Sequence, residues 1–243
     1  MIKLSPRLQI IYDMVPCCDT VADVGCDHGY LTIALLQGKV AKNAIAMDVN
    51  KGPLESAQIN IGEMQLNSQV EFRLSDGLTK LKSGEADVIC ICGMGGNLIQ
   101  RILGARLEIA QSAKALILEP QSECGGVREY LDSNCFSIVD EELCIEEGKI
   151  YPIIKAVYSP EHTKGLSDVE LEYGPAIIKK SPELFKKLLE KNKKEYSDIL
   201  EKLEKQKMAS SDSPIQKRKE ELKRKLNQIS TLEIELEDKL WQK

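Results

Sequence analysis

The sequence predicts an α/β fold: a parallel, doubly wound sheet followed by a small helical domain. Three observations carry this. Short apolar runs alternate with amphipathic segments from residue 21 to residue 133, the pattern of βαβ units with right-handed crossovers. Two strand-like runs, 136–144 and 150–158, then follow with no helix between them. Beyond Pro160 the composition changes, and from Pro182 onward there is no glycine at all.

Each element has its own signal. Residues 21–25 are a short apolar strand, and 30–37 a helix. Residues 44–49 form the next strand. The helix over 53–64 carries Pro53 in its first turn, where a missing N–H does no harm. Residues 70–74 alternate apolar and polar. Residues 87–92 are an almost unbroken apolar run, as a strand buried on both faces requires. A helix over 98–103, a buried strand over 115–118 and a helix over 127–133 complete the alternation. The runs 136–144 and 150–158 should pair as an antiparallel hairpin. Such a hairpin ending a parallel sheet is typical of class I methyltransferases, Rossmann-like enzymes that use S-adenosylmethionine (SAM).

The helical tail reads as an antiparallel coiled-coil hairpin. Leu184, Leu188, Tyr196, Ile199 and Leu203 fall at helical spacing, as do Leu222, Leu226, Ile229, Leu236 and Leu240. A turn-rich stretch, 209–214, lies between them. The expected domains are 1–158 and 159–243. Net charge is −5 overall, but residues 179–225 hold 16 basic and 9 acidic side chains, a local +7. That surplus suits nucleic acid as well as it suits a solvated helix with i,i+4 pairs such as Glu190–Lys194 and Glu201–Lys205.

Composition narrows the classes further. No apolar run approaches the ~20 residues of a membrane span, and the first residues lack a signal peptide's pattern, so a cytoplasmic enzyme is expected. Eight cysteines include no C-x-x-C pair, and the histidines are His28 and His162. No metal site is expected; the thiols should be reduced and mostly buried, with Cys90 and Cys92 sharing a strand face.

The chemistry concentrates where the strands end, which is where open α/β sheets bind ligands. The first strand runs into Asp23-Val24-Gly25-Cys26-Asp27-His28-Gly29-Tyr30. This D-x-G-x-D-x-G turn differs from the G-x-G-x-x-G of dinucleotide sites and favours methyl transfer over hydride transfer. Gly25 permits close backbone approach. Asp23 suits either the amino group of an amino-acid moiety or bracing of the loop. Asp48, with Val49 after it, ends the second strand and can accept from both ribose hydroxyls. Asp76-Gly77 follows the third, where Asp76 can accept from an adenine amine or simply form a turn. Gly93-Met94-Gly95-Gly96 ends the fourth strand and leaves room for ligand and base. No N-P-P-Y stands there, which argues against N6 methylation of adenine. Glu119-Pro120-Gln121-Ser122 ends the fifth strand.

In this order the motifs resemble one family, the bacterial tRNA (adenine-22-N1)-methyltransferases, or TrmK family. The resemblance starts at Leu4-Ser5-Pro6-Arg7-Leu8 and includes Asp23 to Leu31. It continues through Gly52-Pro53-Leu54, Arg73 with Asp76-Gly77-Leu78, Gly93-Met94-Gly95-Gly96 and Gly148-Lys149-Ile150-Tyr151. It covers residues 4–158 by motif and the rest by layout. The chain departs from the family's usual pattern at Cys26, where Ser or Thr is expected, and at Glu119-Pro120-Gln121-Ser122, where Gln-Pro-Asn is more usual.

The resemblance implies that adenine N1 attacks the methyl of SAM and S-adenosylhomocysteine (SAH) leaves. Asp23, Gly25, Asp48, Val49, Asp76, Gly77, Gly93, Met94 and Gly95 are then expected to hold the cofactor. Asp27, with His28 beside it, is the candidate for stabilising the cationic product; a second SAM-binding carboxylate is its alternative, and packing beside the sheet that of His28. Arg7, Tyr30, Arg73, Pro120, Gln121, Lys187 and Lys194 are the expected tRNA contacts. The enzyme should act on a target base extruded from the D-arm, with no metal, no membrane and no required protein partner, as a monomer. Two other classes stay open: a SAM enzyme for another RNA position, a protein or a small molecule, and a non-enzymatic SAM-binding assembly module.

Overall fold

A computed structural model describes residues 2–161, 165–205 and 214–241. His162, the turn expected over 209–213 and the side chain of Leu240 lie outside the described residues.

Helix α1 (Pro6–Met14) leads into β1 (Cys18–Val24), α2 (Tyr30–Gln37), β2 (Ala41–Asp48), α3 (Lys51–Glu63) and β3 (Val70–Leu74). Then come β4 (Val88–Gly95), α4 (Gly96–Ala105), α5 (Leu107–Ser112), β5 (Ala115–Ser122) and α6 (Cys124–Ser133). The hairpin β6 (Phe136–Glu146) and β7 (Lys149–Tyr158) completes the sheet. Helices α7 (Asp168–Tyr173), α8 (Ile177–Lys180), α9 (Pro182–Glu204) and α10 (Pro214–Trp241) follow.

The seven strands lie in the order β3-β2-β1-β4-β5-β7-β6. The first five are parallel, and β7 joins β5 antiparallel. The expected Rossmann-like sheet with a terminal hairpin is present. Both faces are buried: Ala22, Val24, Ile45, Met47, Ile89 and Ile91 pack on one side, Val21, Ala44, Val88 and Cys90 on the other. Chain order reverses between β1 and β4, so the crossovers diverge and leave a crevice at the strands' carboxyl ends.

Helix α1 has no counterpart among the sequence expectations. Ser5 caps it, its hydroxyl accepting from the Leu8 N–H at 3.4 Å, and Pro6 occupies the first turn. Ile11 and Met14 then pack into the core that also holds Leu31 and Leu35 of α2. The thiols also differ from expectation: Cys26, Cys90 and Cys144 are buried, four others are partly buried and Cys17 is exposed.

The chain divides into two compact units, Met1–Ala176 and Ile177–Lys243. The sequence places the boundary earlier, at 158/159. Buried polar bonding explains the shift. Arg128 of α6 donates to Glu141 of β6 at 2.8 Å and to the Leu171 and Glu172 carbonyls at 2.9 and 3.0 Å. Glu141 also accepts from the Ala176 N–H at 3.4 Å. With Arg128 and Glu141 side chains 1% and 0% exposed, these bonds tie α7 and its exit to the sheet domain.

In the second unit α9 and α10 run antiparallel. Lys193 pairs with Glu233 at 2.6 Å, Lys225 lies 5.3 Å from the Tyr196 ring centroid, and Lys223 stands 3.8 Å from Glu204. Leu222, Ile229 and Leu236 are buried at a spacing of seven. On α9 the fully buried positions are Phe185 and Leu189, one residue beyond the expected Leu184 and Leu188. No described helix is long and apolar enough to cross a membrane.

Candidate functional site

The ends of β1 to β5 enclose a cavity of about 660 Å³, within the roughly 300–1,000 Å³ of small-molecule sites. Five carboxylates line it, Asp23, Asp27, Asp48, Asp76 and Glu119, against two guanidiniums, Arg7 and Arg101.

The turn after β1 is built on positive φ. Gly25, Asp27 and Gly29 have φ of 76°, 45° and 73°, a conformation that glycine adopts freely and aspartate tolerates. At Gly25 a Cβ would lie 2.3 Å from Met94 Cε, so the loop and the β4 terminus sit against each other. Asp23 is buried and accepts the Thr32 hydroxyl at 2.7 Å. Burial pushes its pKa up to about 6, with the Thr32 bonds pulling the other way. Bracing and ligand binding therefore meet in one residue: Asp23 anchors α2 and lines the cavity.

Asp48 is also buried. Its Oδ1 accepts from the Asn50 N–H at 2.8 Å, and its other oxygen has no partner among the described residues. Asp76 is exposed and its carboxylate is likewise uncommitted, while Ser75 donates to the Gly77 carbonyl at 2.8 Å and shapes the turn. Val49 is 59% exposed beside Asp48. Asp27 and His28 stand at the rim, Oδ1 to Nε2 3.7 Å apart, and the His28 ring stacks on Tyr30 at 5.7 Å between centroids.

The glycine cluster has two separate reasons. Register slips between Cys92 and Met94, so Gly93 forms a bulge at φ 76°. At Gly96 a Cβ would meet the Ser122 and Glu123 carbonyls at 2.5 and 2.7 Å. Gly93 and Met94 line the cavity; Gly95 precedes α4 and does not. On β5, Gln121 reaches the cavity, whereas Pro120 is buried and pairs with Met94.

The expected tRNA cations sort differently. Arg73 lies outside this cavity. Its five N–H groups are all engaged, by Glu71, Glu85 and the Lys80 carbonyl at 2.6–2.9 Å. This clamp, led by its hydrogen bonds, holds the Glu85 pKa down at about 2. Arg73 thus has no donor left for a phosphate. Arg7 bridges Glu119 at 3.2 Å and Glu146 at 3.0 Å and lies over the Tyr151 ring. The residue that sequence reasoning missed is Arg101 of α4, exposed on the cavity wall and unpaired among the described residues. No motif surrounds it; only the fold brings it here. Lys187 and Lys194 are exposed on α9.

Residues 21–231 match the model of the TrmK family, tRNA (adenine(22)-N(1))-methyltransferase. The chain belongs to this family. It is 38% identical over 155 residues to the tRNA (adenine(22)-N(1))-methyltransferase of Bacillus subtilis, a stretch covering 64% of this chain and 65% of that protein. The crystal structure of the B. subtilis m1A22 tRNA methyltransferase TrmK superposes with a TM-score of 0.84 at 30% identity, covering 95% of this chain and 99% of that one. M. capricolum TrmK, solved with its natural cofactor product SAH, gives 0.80 at 26% identity, over 96% and 98%. The cavity fits SAM: Asp48 and Asp76 offer uncommitted acceptors for hydroxyls and an amine, and Gly25, with Met94 packed against it, forms part of the wall.

Proposed function

We propose that this TrmK-family chain methylates N1 of adenine 22 in the D-arm of tRNA, using SAM. One observation carries the reading: carboxylates suited to SAM and an open, glycine-walled end share one cavity across β1 to β5. Bound SAM supplies a methyl group already activated on a sulfonium.

The protein's work is then positioning and electrostatics. Asp48 accepts from the ribose hydroxyls, Asp76 from the adenine amine of the cofactor, and Asp23 from its ammonium group. Val49, Gly77, Gly93 and Met94 shape the walls. The target base enters beside Gly93 and Gln121. Its N1 is on the Watson–Crick edge and is free only once the nucleotide is extruded. The stacked His28–Tyr30 pair offers a ring face at the rim. Asp27 stabilises the cationic methylated base, and no base is needed because N1 carries its own lone pair. Arg101 takes a flanking phosphate, and Lys187 and Lys194 contact the RNA backbone.

The test is nucleoside analysis of unmodified tRNA incubated with the protein and SAM. N1-methyladenosine should form with adenine at position 22 and vanish when that base is replaced. Methylation elsewhere, or none, overturns the reading.

A further inference from the structure

Glu119 does not have the setting of an ordinary structural ion pair. Its side chain is 1% exposed. Oε2 accepts from the Gly93 N–H at 2.6 Å and from Arg7 at 3.2 Å. Among the described residues Oε1 is buried with no partner, and so is Oε1 of Glu146, the second carboxylate on Arg7. Arg7 Nε, 3.0 Å from Glu146, is also outside hydrogen-bond geometry. Two carboxylates thus share one guanidinium, and a negative charge remains. A buried charge in surplus is costly unless something positive offsets it.

The sheet order says where that charge falls. Asp76 follows β3 and Asp48 ends β2, so a cofactor with its nucleoside there points its sulfur toward β1 and β4. Glu119 lies in the next strand, β5, near its carboxyl end, and its carboxylate is one hydrogen bond from Gly93 on the cavity wall. In the reaction N1 forms a bond to the methyl carbon, the carbon–sulfur bond breaks and its electron pair stays on sulfur. The cofactor loses its sulfonium charge and the base gains it.

We propose that Glu119 makes the cavity discriminate between SAM and SAH by charge, so that methyl transfer itself weakens the protein's hold on the spent cofactor. This rests on SAM being the ligand of the cavity. Glu119, 1% exposed on the cavity wall, acts through its charge beside Gly93.

Calorimetric titration of full-length protein with SAM and with SAH at pH 8 tests it. Wild type should bind SAM more tightly. E119Q, which keeps the shape and the acceptor for Gly93, should weaken SAM about fivefold or more while leaving SAH within about twofold. E119D, which keeps the charge, should preserve the preference. If E119Q does not fold, E146Q removes the same surplus charge from a more exposed position and should narrow the ratio in the same direction. Equal loss for both ligands reduces Glu119 to a brace for Gly93 and overturns the proposal, as does an unchanged ratio. Failure of wild type to bind either ligand instead overturns the assignment of SAM to the cavity.

Discussion

Thr32 donates its hydroxyl to Asp23 across 2.7 Å in a site where the carboxylate is almost fully buried. One hydroxyl does not replace the water that Asp23 loses. Its pKa rises from 3.8 to about 6 for that reason. The folded state therefore holds the proton more tightly than the unfolded chain does. Stability from this group is complete below about pH 4 and is lost as pH rises through 6. Asp23→Asn should stabilise the ligand-free protein by about 2–3 kcal/mol more at pH 8 than at pH 4, while weakening SAM binding. Thermal melts at both pH values, paired with titration of SAM, check both halves.

Arg73 and Arg101 should separate cleanly. Arg73 spends every donor inside the chain, so Arg73→Ala should lower the melting temperature and leave tRNA affinity unchanged at fixed salt. Arg101→Ala should do the reverse. Loss of one phosphate contact reduces the slope of log affinity against log salt by about 1. Filter binding across a salt series distinguishes the two.

Asp27 is exposed at the rim and, among the described residues, engaged only with His28 at 3.7 Å. Asp27→Asn should keep SAM affinity near wild type and lower turnover at least tenfold, since a preorganised charge at the reacting centre is worth several kcal/mol. Equal losses in binding and turnover would make Asp27 a cofactor ligand instead.

Lys187 and Lys194 stand exposed on α9. Replacing both by Ala should weaken tRNA binding several-fold at low salt and spare SAM titration. An unchanged RNA affinity would move the contact surface elsewhere.

The Arg128–Glu141 pair is a stability element. Glu141→Ala should cost about 3–5 kcal/mol, because it leaves a buried guanidinium without its carboxylate. Denaturant unfolding measures this directly.

Much of the sheet was legible because its signals are local. Val21 to Gly25, Ala44 to Asp48 and Val88 to Cys92 are apolar runs that end in acidic or glycine residues, and these became the cavity's rim. Asp23, Asp48 and Asp76 could be placed by strand order alone. What stayed hidden depends on long-range pairing. Arg73 reads as a free cation until Glu85, twelve residues on, folds against it. Arg7 and Glu119, 112 residues apart, meet only through the hairpin and α1. Helix α1 itself is short, and its Ser5-Pro6 start is a family motif that also serves as a cap.

The acidity of the cavity has one more consequence. Five carboxylates against two guanidiniums, with Arg7 already held by Glu119 and Glu146, disfavour a phosphate anywhere in the cavity but beside the exposed Arg101. A nucleotide can insert its ring here only if the sugar–phosphate chain stays outside. On the proposed function, the site therefore filters how far a strand can penetrate: deep enough to expose one ring nitrogen, too shallow to thread the backbone.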